Sequence, residues 1–316
     1  MKKHSKTFDR EAWAAERESK LDAARAALTE GIKALVTGED WANLLRQLAH
    51  FGPLSISRYS FSNQVLLLRQ NPGCSYAATF QGWKELGRSV KRGEKALLIR
   101  QPSFARRSSS AEEETSDDTG DAPRITGFRA LAVFALSQTD GLELAIPPAP
   151  DVSGDEAFPQ AVETLRSIAL ALPGAPVAAI TIRETLPGES ANGWYMPSSR
   201  EIVVLTGSPS SPRARPAIFR TLVHELAHAL LHGAGDHHAR AECEVEAEST
   251  AFLVCHALNL DTGSYSFPYV AGWASHADDP VKAVERTGDR ITKAARTILA
   301  ALMPADTAEQ LADLAA

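Results

Sequence analysis

Apolar residues recur at three- and four-residue steps from the start of the chain. Trp13, Leu21, Ala24, Leu28, Ile32 and Leu35 define one face of a helix over 9–36, with Asp9 as its cap. Asp40 caps a second helix over 41–51, with Leu44, Leu45 and Leu48 on one side and Gly52-Pro53 as its break. Ser62 or Asn63 opens a third, apolar from Val65 to Leu68 and closed near Asn71-Pro72-Gly73; a short helix over 79–86 follows. The pattern then changes period. Val90 to Lys95 reads as a turn, and Ala96–Ile99 and Gly127–Leu136 as strands. Between the strands, 108–123 holds six acids, no base and no large apolar side chain, so a disordered acidic hairpin loop is expected there.

A second boundary comes from proline. Pro147-Pro148-Ala149-Pro150 starts a semi-rigid linker, which divides the chain into domains 1–146 and 147–316. Beyond it the pattern predicts a helix over 156–172, strands at 177–182 and 201–205, and helices over 216–232, 239–258 and 281–302, with a loop at 233–238. The fold class is therefore α+β: a helical, β-hairpin N-terminal domain followed by a mostly helical second domain. Length and composition agree, since 316 residues with 44% hydrophobic and 23% charged positions are ordinary for two globular domains. No apolar run approaches a membrane span, and Met1-Lys2-Lys3-His4 leads into charge rather than an apolar segment. Neither a membrane partner nor a signal peptide is expected, and the expected location is the cytoplasm. The three cysteines form no CxxC pair, so a Cys-rich zinc site is excluded.

The chemistry concentrates in the helix over 216–232. His224-Glu225-Leu226-Ala227-His228 is an HExxH motif among Phe219, Leu222, Val223 and Leu230. A spacing of four puts both imidazoles on one helix face, where they can grip one Zn²⁺ with Glu225 beside it as general base. A catalytic zinc needs a third protein ligand, and the next helix offers Glu242, Glu244, Glu246 and Glu248. Glu244 and Glu248 share an otherwise apolar stripe with Ala251 and Cys255. Glu244 is assigned to zinc. Glu248 then accepts the free ring N–H of a ligand histidine. The reverse assignment also fits the spacing. His232, His237 and His238 are expected in the loop or behind the ligands, because no HExxHxxGxxH pattern is present. Asn192–Tyr195 and Glu201–Leu205 fit a strand pair that either binds a substrate backbone by strand addition or is an ordinary core hairpin.

Net charge is −6, yet residues 81–107 carry eight bases against two acids. Lys84, Arg88, Lys91, Arg92, Lys95 and Arg100 are flanked by Tyr59, Phe61, Tyr76, Phe80, Trp83, Phe104 and Phe128. Cations that follow phosphates plus rings that stack bases suit single-stranded nucleic acid; a solvated basic face over core aromatics has the same composition.

These residues also carry a resemblance. Tyr59-Ser60-Phe61-Ser62-Asn63-Gln64, Ala78 to Gly87, Val90 to Lys95 and Val133 to Gly141 resemble the N-terminal, single-stranded DNA-binding domain of ArdC-type antirestriction proteins. The second half resembles the zinc metallopeptidase-like domain that follows it, and the ImmA/IrrE peptidases in its HExxH motif and Glu244–Glu248 segment. Tyr265 to Trp273 is similar to a tyrosine-tryptophan segment near the family's C-terminus. The resemblance implies an antirestriction protein that guards incoming single-stranded DNA, with Asn63 added to the DNA-contacting set. It also implies a zincin-like metallopeptidase domain, active or vestigial. The alternative is a regulatory zinc endopeptidase that cleaves a repressor, DNA binding only localising it. A protein substrate, repressor or restriction component, joins DNA as an expected partner. Tyr269 is a candidate to stabilise an oxyanion. A purely structural zinc domain would have no need of Glu225.

Overall fold

The computed structural model describes residues 10–35, 38–50, 55–104, 125–144, 149–171, 177–232, 239–262 and 277–302. The acidic segment 108–123, Arg106, Arg107, His237, His238 and Tyr269 lie outside them. The described chain is a mixed α+β structure of helices around small sheets.

The first half holds α1 (Arg10–Lys33), α2 (Gly38–Leu48) and α3 (Phe61–Gln70), of which α1 and α3 pack beside a hairpin of β3 (Leu97–Phe104) and β4 (Ile125–Ala135). β1 (Ala77–Ala78) pairs with the other edge of β4, giving the order β1-β4-β3. α4 (Phe80–Glu85) is capped by Thr79, whose hydroxyl accepts the Gly82 N–H at 3.1 Å. A small ladder of β2 (Arg88–Val90) and β5 (Thr139–Gly141) closes the region. The cap of α3 is Ser60 rather than Ser62 or Asn63, and its hydroxyl accepts the Asn63 N–H at 3.4 Å. That releases the Asn63 side chain for another task. Its amide accepts from Arg100 N–H at 2.8 Å and donates to Arg100 C=O at 2.9 Å. Gln70, two turns on, treats Leu98 the same way at 2.8 and 2.9 Å. Two side-chain amides thus stand in for a neighbouring strand on the open edge of β3, where unpaired backbone groups would otherwise be a liability.

In the second half, α5 (Ala157–Ala171) precedes a three-stranded sheet. β8 (Glu201–Leu205) lies in its centre, parallel to β6 (Ala179–Arg183) and antiparallel to β7 (Gly193–Met196), which forms an edge. A short β9 (Gly207–Ser208) and β10 (Ser211–Pro212) turn leads to α6 (Arg215–Leu231). α7 (Arg240–Ala257) packs on α6, and α8 (Pro280–Leu302) packs on α7. Among the described residues no helix is long and apolar enough to cross a membrane.

The sequence points to two domains meeting at 146/147. Among the described residues the larger of two clusters of buried apolar side chains runs from Ala24 to Leu299 through both halves, and a smaller one holds Ala78 and Trp83. Two contacts show how close the union is. Trp41 of α2, fully buried, donates its indole N–H to Ser249 of α7 at 2.8 Å. Phe61 of α3, also fully buried, lies against Gly288 of α8, where an added Cβ would stand 2.3 Å from the ring. Gly288→Ala is therefore expected to destabilise the fold, by about 1–3 kcal/mol as an overpacking change, despite alanine's better helix propensity. Urea denaturation of the full chain measures it, and an unchanged midpoint would refute the close approach.

Candidate metal centre

The sequence of α6 forces its histidines inward. Ile218, Phe219, Leu222, Val223, Leu226 and Ala227 are buried against the sheet and α7, and His224 and His228 share the adjoining face, one turn apart. Their Nε2 atoms lie 3.1 Å from each other. Glu244 of α7 brings Oε2 to 3.6 Å from His224 Nε2 and 3.8 Å from His228 Nε2. All three donor atoms fall within 4.8 Å of one another. A circle through three atoms at these separations has a radius of about 2.0 Å, which matches zinc–nitrogen and zinc–carboxylate bond lengths. The residues therefore fit a divalent first-row ion, with room for a further ligand.

Groups behind the donors fix their orientation. His224 Nδ1 faces Glu248 Oε2 at 3.1 Å, and Glu248 also pairs with Arg220. His228 Nδ1 faces His232 Nδ1 at 3.0 Å, and His232 Nε2 faces Glu246 Oε2 at 2.9 Å. Glu225 lies beside the donors, largely buried, and accepts the backbone N–H of Tyr195 on β7. Gly193 on the same strand permits this approach, because a Cβ there would meet Thr221 at 2.7 Å and Glu225 at 3.5 Å. A cleft of about 460 Å³ opens beside the centre, lined among others by Asn192, Gly193, Arg213, Thr221, His224 and Glu225.

Without an ion the electrostatics are those of a cation site filled by a proton. Burial opposes charge on His224, but hydrogen bonds to Glu244 and Glu248 and the field of Glu225 outweigh it and raise its pKa from 6.5 to about 9. The same two histidines hold the Glu244 carboxyl far below its usual range. Glu248 is lowered as well: burial pushes it up, and His224 and Arg220 more than compensate. Glu225 moves the other way, raised chiefly by burial.

The DNA-contacting candidates separate into two groups. Phe61 and Trp83 are fully buried, and Trp83 donates its indole N–H to Phe134 C=O at 2.8 Å. Asn63 is buried and committed to β3. None of these three presents a surface to a base, and the physical reason is that each completes the core or a backbone ladder. Tyr59 is half-buried, donating its hydroxyl to Ala77 C=O at 3.2 Å. Arg88 spends its donors on Thr139 and Leu142, and Lys91 bonds Ser137 C=O at 2.9 Å. Arg100 stacks over Phe128 at 4.3 Å. The solvent-facing set is Lys84, Lys91, Arg92 and Lys95 with Phe80, joined by Phe104, Phe128 and Arg129 of the hairpin. Sequence reasoning left Arg129 out of the patch, though it counted Phe104 and Phe128 among the rings flanking it. At the centre it missed the parts played by Arg220 and Glu246, while His232, expected in the loop or behind the ligands, lies behind His228. The even-numbered run Glu242, Glu244, Glu246 and Glu248 held a signal, since it contains two i,i+4 pairs on different faces.

Comparison with known proteins gives three findings. Residues 25–134 match the family model for the N-terminal domain of the anti-restriction factor ArdC. An uncharacterized Bacillus anthracis protein is 28% identical over 287 residues, which cover 80% of this chain and 46% of that protein. The chain thus spans about half the length of that curated relative. Among solved structures, two of the antirestriction protein ArdC from plasmid R388 are similar. The metal-free one has 19% identity and a TM-score of 0.44, with 81% of this chain and 85% of that one covered. The Mn(II)-bound one has 18% identity and a TM-score of 0.48, with 92% and 98% covered.

The donor set predicts how metal uptake follows pH. In the metal-free protein the His224 pairing contributes stability fully present below pH 6.5 and lost as pH rises through about 9. An ion needs the neutral ring, so loading at pH 7 releases a proton. Apparent affinity should rise about tenfold per pH unit up to about 9 and then flatten. Calorimetry in buffers of different ionisation enthalpy measures this, and a pH-independent affinity would refute it.

Proposed function

We propose that this chain is an antirestriction-type protein that binds single-stranded DNA through its first half and hydrolyses peptide bonds at a zinc centre in its second. The match of residues 25–134 to the ArdC N-terminal domain carries the first part. The convergence of His224, His228 and Glu244 beside the buried Glu225 supports the second.

For DNA, the hairpin supplies rings and cations together. Phe104 and Phe128 are 51% and 38% exposed on strands that also carry Arg100 and Arg129, with Lys95 on the approach to β3. Rings take stacked bases and the cations follow phosphates, without reading sequence. For hydrolysis, His224, His228 and Glu244 would hold the ion. When bound, it supplies Lewis-acid polarisation of a carbonyl and acidifies water. Glu225, oriented by the Tyr195 N–H, takes the proton from the attacking water and passes it to the leaving amine nitrogen. β7 is the sheet edge next to Glu225, and Gly193 on it lines the cleft, so a substrate backbone has a strand to pair with. Zinc rather than manganese is expected to bind more tightly to two imidazoles and a carboxylate.

Two experiments test the two parts. Glu225→Gln should cut peptide hydrolysis by about 10²–10⁴-fold while leaving metal content and DNA affinity unchanged. Retained hydrolysis would remove Glu225 from the mechanism; antirestriction surviving in this variant would show that DNA binding suffices for it. Single-strand affinity should exceed duplex affinity and fall with salt, and Lys95→Ala should flatten the salt slope by about 0.7. Phe104→Ala should weaken binding by about 5- to 150-fold, as a stacking residue does. Equal affinity of the Phe104 variant and parent, measured by fluorescence anisotropy, would refute stacking at the hairpin.

A further inference from the structure

We propose that His232 is a positioning residue of the metal centre, relaying a buried ion pair between α7 and α8 to the ring of His228. His224 has a carboxylate directly behind it, but His228 does not: its outward nitrogen meets a second imidazole. The direction of the hydrogen bonds follows from the far end of the chain. Arg290 of α8 bonds Glu246 through Nε at 2.8 and 3.1 Å and also donates to Leu231 C=O, the carbonyl next to His232. Glu246 is fully buried, and facing a guanidinium it is an acceptor. His232 Nε2, at 2.9 Å, must therefore be the N–H that donates to it. In a neutral imidazole the other nitrogen is then a lone pair, so His232 Nδ1 accepts, and His228 Nδ1 at 3.0 Å is the donor. This leaves the His228 Nε2 lone pair aimed at the same point as His224 Nε2 and Glu244. One buried carboxylate thereby sets the tautomer of a ligand it does not touch.

His232 is not itself a ligand in this arrangement, because Nδ1 and Nε2 are both spent on the relay and its side chain is only 10% exposed. The inference rests on the metal-centre reading and not on hydrolysis. It also distinguishes Glu246 from Glu242, whose carboxylate bonds Thr287 and Arg286 of α8 and reaches no histidine among the bonds described.

Glutamine reproduces the relay, since its amide oxygen accepts and its amide nitrogen donates at nearly the imidazole N–N spacing; leucine does not. Zinc affinity of the full chain, read by chelator competition, should fall about 10- to 100-fold in His232→Leu and return to within about threefold of the parent in His232→Gln. Ser249→Ala, which removes the buried Trp41 bond on the same helix, should lower thermal stability but leave zinc affinity unchanged. Nitrogen-15 NMR of the metal-free parent should find the proton of His228 on Nδ1 and that of His232 on Nε2, a reading that needs no variant to fold. A parent that takes up no zinc overturns the centre and this inference together. A zinc-binding parent whose His232→Leu variant keeps its affinity, or the opposite tautomer on His232, overturns this inference alone.

Discussion

The arrangement depends on one awkward contact: two imidazole lone pairs and a carboxylate oxygen aimed at a common point, with the nitrogens 3.1 Å apart. Like partial charges do not converge unaided, so the fold must hold them there. Burial of the apolar side of α6 fixes the helix rotation, and the packing of α7 sets the reach of Glu244. Glu248 and the His232–Glu246 pair then lock the rings from behind. The strain of convergence is relieved by a proton on His224, and a divalent ion at the same point would relieve it as well. The raised basicity of His224 and the depressed carboxyl of Glu244 are two expressions of that single constraint.

A comparable economy governs the first half. Asn63 and Gln70 lie seven residues apart on α3, two helical turns, and bond backbone positions two apart on β3. Helix rise and strand rise agree only roughly over that distance, about 10 Å against about 7 Å, and the long amide side chains absorb the difference. By sealing this edge, α3 leaves the faces of the hairpin rather than its rim available to a ligand. Arg100 sits on such a face, its backbone held by Asn63 while its guanidinium lies over Phe128.

Periodicity made the helices legible: 216–232, 239–258 and 281–302 were read within one or two residues of α6, α7 and α8. β8 was read to the residue, because Ile202, Val203, Val204 and Leu205 are flanked by clear turn signals. The HExxH spacing and the Glu244/Glu248 stripe each pointed to one wall of the cluster, since helical geometry relates the members within each helix. What local pattern hides is the partner on another element. Arg290 lies 44 residues from Glu246, and Trp41 lies 208 residues from Ser249. Aromatic residues mislead for a related reason. Phe61, Trp83, Phe104 and Phe128 have similar sequence surroundings, yet the first two fill the core and the last two stand in solvent. Alternation along β4 held the better clue, because only a strand that leaves the core can carry exposed apolar side chains on both faces.

Helix α8 explains why the halves share one core. One side receives the first half: Asp289 accepts the Phe61 backbone N–H at 2.7 Å, and Glu285 accepts the Ser62 hydroxyl at 2.7 Å with Arg100 at 4.0 Å. The other side serves α7, through Thr287 to Glu242 and Arg290 to Glu246. Acids face the N-terminal end of α3, where free N–H groups and the helix dipole favour them, and cations face the acidic run of α7. Chemical complementarity thus orients α8 in a way that apolar packing alone would leave degenerate. The consequence is structural economy: the helix that caps α3, and through Asn63 steadies the hairpin, is the one that anchors the carboxylate behind His228. Trp41 and Phe61 of the first half are buried against α7 and α8, so the packing that places the candidate metal site also holds the base of the hairpin's helix.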